Sequence, residues 1–450
     1  LYIGHRDAQE LATIDGARVR SSGCCAFEDR SFMVVNYRRK HRFACLSLSL
    51  LFAAVSGQAI AQTVGNDDPN WRLSEPNVAA VVDLDSLGGT QSDNQLLESG
   101  IELAGKGFLK EASEKFRLVL KRDPDNAQAR NNLATCLKRQ GQLAQAIEEY
   151  KRAVDANPQV AEVHNNLGLA YMAENDFKQA LPEFYQAIKY KSDYAQAYYN
   201  LAELLAKTNN FEGAVENYQQ ALKLSDVASY HRAFASVLDK LGRNEQALVE
   251  YLAATKDGDH AESTYLGLGK AQEKTQAFNE AKDSFKQVLA LDAVNCEALN
   301  ELGFVEGKLG NNEQAKLYLN KALSIDAGYV QARVNLGSIL FAQKQYLQAV
   351  SLWRQAVLLK PDLAEAHYNL GMALLQCGLV KQADEALRKC LTLSPDNANF
   401  HNNLGVVLMR EGNLNEARRE WRQAIKLNPD LSEASLNLDK WQAIVRASKS

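Results

Sequence analysis

One small residue recurring at a fixed spacing constrains this chain of 450 residues more than any other feature. Alanine stands at Ala112, Ala146, Ala180, Ala214, Ala247, Ala281, Ala315, Ala349, Ala383 and Ala417, each 34 residues after the last except for one step of 33. A period of that length marks one supersecondary unit copied along the chain. Such a unit cannot bury its apolar face alone and stacks on its neighbours. Ten copies result, starting at residues 93, 127, 161, 195, 228, 262, 296, 330, 364 and 398.

Within a copy the alanine is position 20. Position 24 is a large knob: Phe116, Tyr150, Phe184, Tyr218, Tyr251, Phe285, Leu319, Trp353, Leu387 and Trp421. Position 8 is Gly or Ala throughout, from Gly100 to Gly405. Small sockets opposite large knobs are what two closely packed helices require. Position 15 is Gly or Asn in eight copies, and these residues accept the left-handed conformation that ends a helix. Pro124, Pro158, Pro361, Pro395 and Pro429 stand at position 32, where proline cannot continue a second helix.

The first helices carry Asn-Asn-Leu-Gly at 165–168 and 402–405, Tyr-Asn-Leu-Ala at 199–202, Val-Asn-Leu-Gly at 334–337 and Tyr-Asn-Leu-Gly at 368–371. With the alanine and the knob, this pattern resembles the tetratricopeptide repeat over residues 93–431. The resemblance implies an all-α, right-handed superhelical solenoid of ten repeats whose first helices line a concave groove. Residues 432–450 then read as a capping helix and tail, with Leu436, Leu438, Trp441, Ile444 and Val445 as its apolar residues.

Upstream of the array, residues 33–61 predict a secretory signal peptide. Arg38, Arg39, Lys40 and Arg42 precede an apolar run from Phe43 to Val55, and Ala59-Ile60-Ala61 offers a small-residue cleavage site before Gln62. The run is too short to make a good membrane span, so no stable span is expected after cleavage. A periplasmic or secreted product processed after Ala61 is expected. Residues 1–32 read as an upstream extension before Met33, and residues 62–92 as a flexible leader. Cys136, Cys296, Cys377 and Cys390 form no CxxC pair and are expected as free thiols.

As the resemblance implies, positions 2, 5, 6, 9, 12 and 13 of each first helix face the groove. Position 6 is Asn132, Asn166, Asn200, Asn335, Asn369 and Asn403. An amide both donates and accepts, so a row of them suits the backbone of an extended segment. The row resembles the asparagine ladder in the repeat domain of O-linked N-acetylglucosamine transferase. A second reading stays open here, in which the amides bond a neighbouring helix. Copies five to seven replace the row with Ala233, Gly267 and Glu301 among charged residues such as Arg232, Asp239, Lys270, Glu273 and Lys274. The principal site is expected in the last three copies, where Phe341, Tyr368, Met372 and Met409 accompany Asn335, Asn369 and Asn403. Met172 and Tyr199 make a thinner strip beside Asn132, Asn166 and Asn200. On this reading the last three amides serve binding and their loss leaves stability little changed.

The composition excludes other classes. The net charge is −4 and no basic stripe is present, so a nucleic-acid partner is not expected. His164, His231, His367 and His401 share position 4, but equivalent residues of successive copies lie a layer of two helices apart, too far to share a metal ion. These histidines are expected to pack, and neither metal nor cofactor is expected. No P-loop, G-x-S-x-G or H-E-x-x-H occurs. The repeats occupy most of the chain, so the expected function is a non-catalytic scaffold of the cell envelope that binds protein or peptide segments. The alternative is an accessory subunit that recruits an enzyme machine, as in polysaccharide synthesis and export or cytochrome maturation.

Overall fold

The computed structural model describes residues 92–447, and the expected extension, signal and leader fall outside the described residues up to residue 91. Among the described residues there are 21 helices and no strand. They alternate as first and second helices of ten repeats, from α1 (Asp93–Gly105) and α2 (Leu109–Arg122) to α19 (Ala398–Glu411) and α20 (Leu414–Leu427), followed by α21 (Ser432–Ala447). The fold is an all-α tetratricopeptide solenoid. The array begins where a capping box forms: Ser92 Oγ accepts from the Gln95 amide, and Gln95 Oε1 accepts from the Ser92 amide.

The repeated alanines are fully buried, as are the knobs Tyr150, Phe184, Tyr218, Phe285, Leu319, Trp353, Leu387 and Trp421. Each glycine at position 8 lies against the ring or branch of its own repeat's knob. A β-carbon added to Gly100, Gly168, Gly269, Gly303, Gly337, Gly371 or Gly405 would sit 2.5–2.8 Å from that side chain. Position 8 is alanine only in three repeats, and all three have tyrosine as the knob: Ala134 with Tyr150, Ala202 with Tyr218, Ala235 with Tyr251. In those repeats position 9 supplies a polar partner for the phenol. Tyr150 Oη lies 2.9 Å from Thr135 Oγ1, Tyr218 donates to Glu203, and Ser236 stands at the same position in the repeat of Tyr251. Burial and the Glu203 carboxylate both push the Tyr218 phenol far above its usual range.

The turn between the helices adopts the same backbone conformation in all ten repeats. Position 15 has positive φ everywhere, including Gln276 at 63° and Lys344 at 62°, where neither Gly nor Asn marks it. The connection to the next repeat is also held by a recurring clamp. The position 4 side chain reaches back to the carbonyl of position 32 in the preceding repeat: Arg130 to Pro124, His164 to Pro158, His367 to Pro361, His401 to Pro395, and Arg333 to Ala327. In several repeats it also meets position 23 of its own second helix, as in Arg130–Glu149, His164–Glu183 and His401–Glu420. His164, His367 and His401 are therefore packing residues that tie one repeat to the next.

First helices of neighbouring repeats touch one another, whereas no two second helices pack to a comparable extent. The row of first helices is therefore the inner side of the array. At its end, α21 lies against this row like an eleventh first helix, with Ala434 and Trp441 buried and Arg418 over the Trp441 ring at 4.7 Å. Leu436 corrects the sequence reading: it is 55% exposed and does not cover the last repeat. The side chains of Ile444 and Val445 lie outside the described residues. Cys136, Cys296, Cys377 and Cys390 are free, and burial pushes the Cys390 thiol up to about 12.

Candidate functional site

The asparagine row engages the fold itself. Position 6 of one repeat meets position 5 of the repeat before it, 35 residues upstream. Asn166 Nδ2 donates to Asn131 Oδ1 at 3.0 Å, Asn200 to Asn165 at 2.8 Å, and Asn335 to Asn300 at 2.9 Å. Asn403 donates to the Tyr368 hydroxyl at 2.7 Å, and Asn437 of the cap donates to Asn402 at 3.0 Å. Asn200 and Asn335 are each only 4% exposed. The expectation that these amides face a ligand and serve no packing is thereby corrected. Each rung ties neighbouring layers of the array, with a buried bond at Asn200 and Asn335 and part-buried bonds elsewhere, each of about 0.5–1.5 kcal/mol net.

Two members of the row have no such rung, because the residue 35 positions upstream is aliphatic. Asn132 faces the register of Leu97, and Asn369 that of Val334. Asn369 is fully buried, and neither its Nδ2 nor its Oδ1 has a hydrogen-bond partner. Asn132 is half-buried and borders a recess of about 610 Å³ lined also by Asn126, Gln128, Asn131, Asn157 and Glu162. That recess, lined also by Val160 and Val163, lies at repeats 2 and 3, away from the three repeats favoured by the sequence.

The apolar residues of the last three repeats separate into two groups. Phe341 is buried against Tyr346 and Trp353, at ring separations of 5.2 and 5.8 Å, and belongs to the core of its repeat. Its expected place on the binding strip is therefore corrected. Tyr368, Met372, Val406 and Met409 are half-buried on the first helices α17 (Ala364–Gln376) and α19, and Tyr368 stacks on Phe400 at 4.8 Å. Near the other end, Met172 is half-buried, and Tyr199 stacks on Tyr230 at 4.5 Å.

Between these two strips the inner side is charged and internally paired. Lys274 meets Asp239 at 2.5 Å, Lys270 meets Glu297, and Arg232 meets Asp259 at 2.8 Å. Glu301 takes the position 6 place in repeat 7, near the Glu273 carboxylate of repeat 6. Burial, then the neighbouring Glu273 carboxylate, raises Glu301 to about 7, and burial raises Glu273 as well. Nothing in the motif spacing marked this pair, although the replacement of Asn by Glu301 in the row was visible.

Family models described as "TPR repeat" and "Tetratricopeptide repeat" match residues 116–148, 136–174, 165–229, 262–295, 297–329, 337–378, 364–397 and 398–431. The chain belongs to the tetratricopeptide-repeat family, a class that binds protein segments, and no catalytic domain is identified in it. No curated protein matches it. Similar solved structures include MamA from residue 41 onward, of Desulfovibrio magneticus RS-1, which is 23% identical, covers 39% of this chain and 98% of its own, and has a TM-score of 0.35. Cut9–Hcn1 of the APC/C is 14% identical over 78% of this chain and 96% of its own, with a TM-score of 0.45. Yeast Tom70 is 13% identical over 79% and 96%, with a TM-score of 0.43. No described helix is long and apolar enough to cross a membrane.

Proposed function

We propose that this chain is a non-catalytic scaffold of the cell envelope that holds a segment of a partner protein along the inner side of repeats 8–10. The observation that carries the reading is a juxtaposition. Tyr368 and Met372 on α17 stand with Val406 and Met409 on the neighbouring first helix α19, and all four are half-buried. Methionine suits an adaptable contact. Asn132, half-buried at the recess of repeats 2 and 3, offers an amide to the backbone of a partner that spans the array.

The test is affinity capture with the M372A/M409A variant and with a variant of equal size on the outer side, L347A/L358A. Partner recovery should fall at least about tenfold for the first pair and remain unchanged for the second. Equal recovery with both variants would place binding elsewhere. The envelope location rests on the basic and apolar pattern of residues 38–61. Mass spectrometry of the mature amino terminus should find Gln62 first, and an unprocessed cytoplasmic protein would defeat the location without touching the binding face.

A further inference from the structure

Repeat 5 departs from the position 4 clamp. The connection between α8 (Phe211–Leu224) and α9 (Ala228–Lys240) has three residues, against four or five between the other repeats, and Asp226 stands where proline occupies position 32 in five copies. His164, His367 and His401 direct Nε2 to a backbone carbonyl. His231 instead directs Nε2 to carboxylates: Asp226 Oδ1 lies 2.7 Å away and Asp257 Oδ2 lies 4.0 Å away. Asp257 follows the second helix α10 (Asn244–Lys256), so the three residues come from α9 and from the connections on either side of the repeat.

We propose that Asp226, His231 and Asp257 form a divalent-cation site with one nitrogen and two oxygen donors, of the class that Zn²⁺ occupies. One donor atom from each residue lies within 4.8 Å of the other two. A Zn²⁺ held at about 2.0–2.2 Å in tetrahedral geometry keeps its donors about 3.4 Å apart. Asp226 Oδ1, hydrogen-bonded to Nε2 at 2.7 Å, would move out and Asp257 Oδ2, at 4.0 Å, would move in to reach that spacing, and side-chain exposures of 76% and 37% leave both room to do so.

The imidazole is what separates this group from a solvated acidic patch. Its Nδ1 is held by Glu250 Oε2 at 2.5 Å, which fixes the ring with Nε2 toward the two aspartates. A carboxylate on the remote nitrogen is the usual support of a metal-bound histidine. The neighbouring Asp259 is engaged by Arg232 at 2.8 Å and leaves Asp257 as the second oxygen donor. Bound metal would tie together the connections on both sides of repeat 5, where the regular spacing of the array is broken, and would keep a fourth position for water or a partner's side chain.

Zn²⁺ titration of the tag-free chain by calorimetry, with thermal unfolding before and after chelation, tests the site. The free cysteines are a competing sink for zinc, so Co²⁺ spectroscopy accompanies it. The expected result is one site of nitrogen and oxygen donors, without a thiolate charge-transfer band, and a melting temperature that rises with Zn²⁺. D226N and D257N should each weaken binding at least about tenfold while folding as the parent does by circular dichroism. E250Q acts through His231 and should weaken it about 10–100-fold. The proposal is overturned if the parent binds no Zn²⁺, if the double variant D226N/D257N binds as tightly as the parent, or if the Co²⁺ spectrum is that of thiolate ligation.

Discussion

A β-carbon placed on Gly405 would lie 2.5 Å from Nε1 of Trp421, the atom that donates to the Asn402 carbonyl at 3.1 Å. The indole cannot swing away without giving up that buried hydrogen bond. Gly405→Ala is therefore expected to destabilise the chain by about 1–3 kcal/mol through overpacking. The three natural Ala–Tyr repeats indicate the remedy. In a double-mutant cycle read by thermal unfolding, Trp421→Tyr should relieve part of the penalty of Gly405→Ala, giving a favourable coupling of at least about 0.5 kcal/mol. Strict additivity would show that the socket and its knob are not matched as a pair.

Asn335 and Asn369 look alike in sequence and should behave in opposite ways. Asn335→Ala removes the donor that satisfies Asn300, itself 1% exposed, and should cost about 1–3 kcal/mol. Asn369→Leu removes a buried amide that has no partner, and should leave stability unchanged or raise it. Denaturant midpoints of the two variants decide the matter. If Asn369→Leu proves the more damaging change, its amide has a structural role within the chain.

The Glu273–Glu301 pair makes stability depend on pH. Glu301 binds its proton more tightly in the fold than in the unfolded chain, from an ordinary value of 4.5 to about 7. Between those two values the folded state holds the proton that the unfolded state has lost, so stability is greatest on the acid side and falls as pH rises through that window. Above about pH 7 both states are ionised and the slope ends. The melting temperature should drop between pH 5 and 7.5 more steeply than in Glu301→Gln, which keeps Glu273 but loses the Glu301 titration. A parallel course of the two curves would count against the pair.

Lys344 and Gln276 occupy the left-handed turn without a residue suited to it. That conformation costs an ordinary residue roughly 1–2 kcal/mol, partly offset by the entropy that glycine loses on folding. Lys344→Gly is thus expected to raise stability by up to about 1 kcal/mol, whereas Gly310→Lys, the reverse change at an equivalent turn with φ 83°, should lower it. Thermal unfolding of both variants checks the sign.

The repeat itself was legible in the residues. Alanine at position 20, the knob four residues on and the small residue at position 8 fix two helices and their contact, because that contact lies within one copy and the spacing is local. The charge pair at Glu301 and the binding strip were legible only as positions. What each asparagine does was not, since it depends on the residue 35 places upstream. Asn335 finds Asn300 there and is tied into the fold. Asn369 finds Val334 and is left with a buried, unpaired amide. The same holds for His231, whose ring points at aspartates because one residue is missing from the connection before it. Helix periodicity determines which face a side chain occupies, but only the stacking of one repeat on the next brings that face to a partner, a carboxylate or an aliphatic wall.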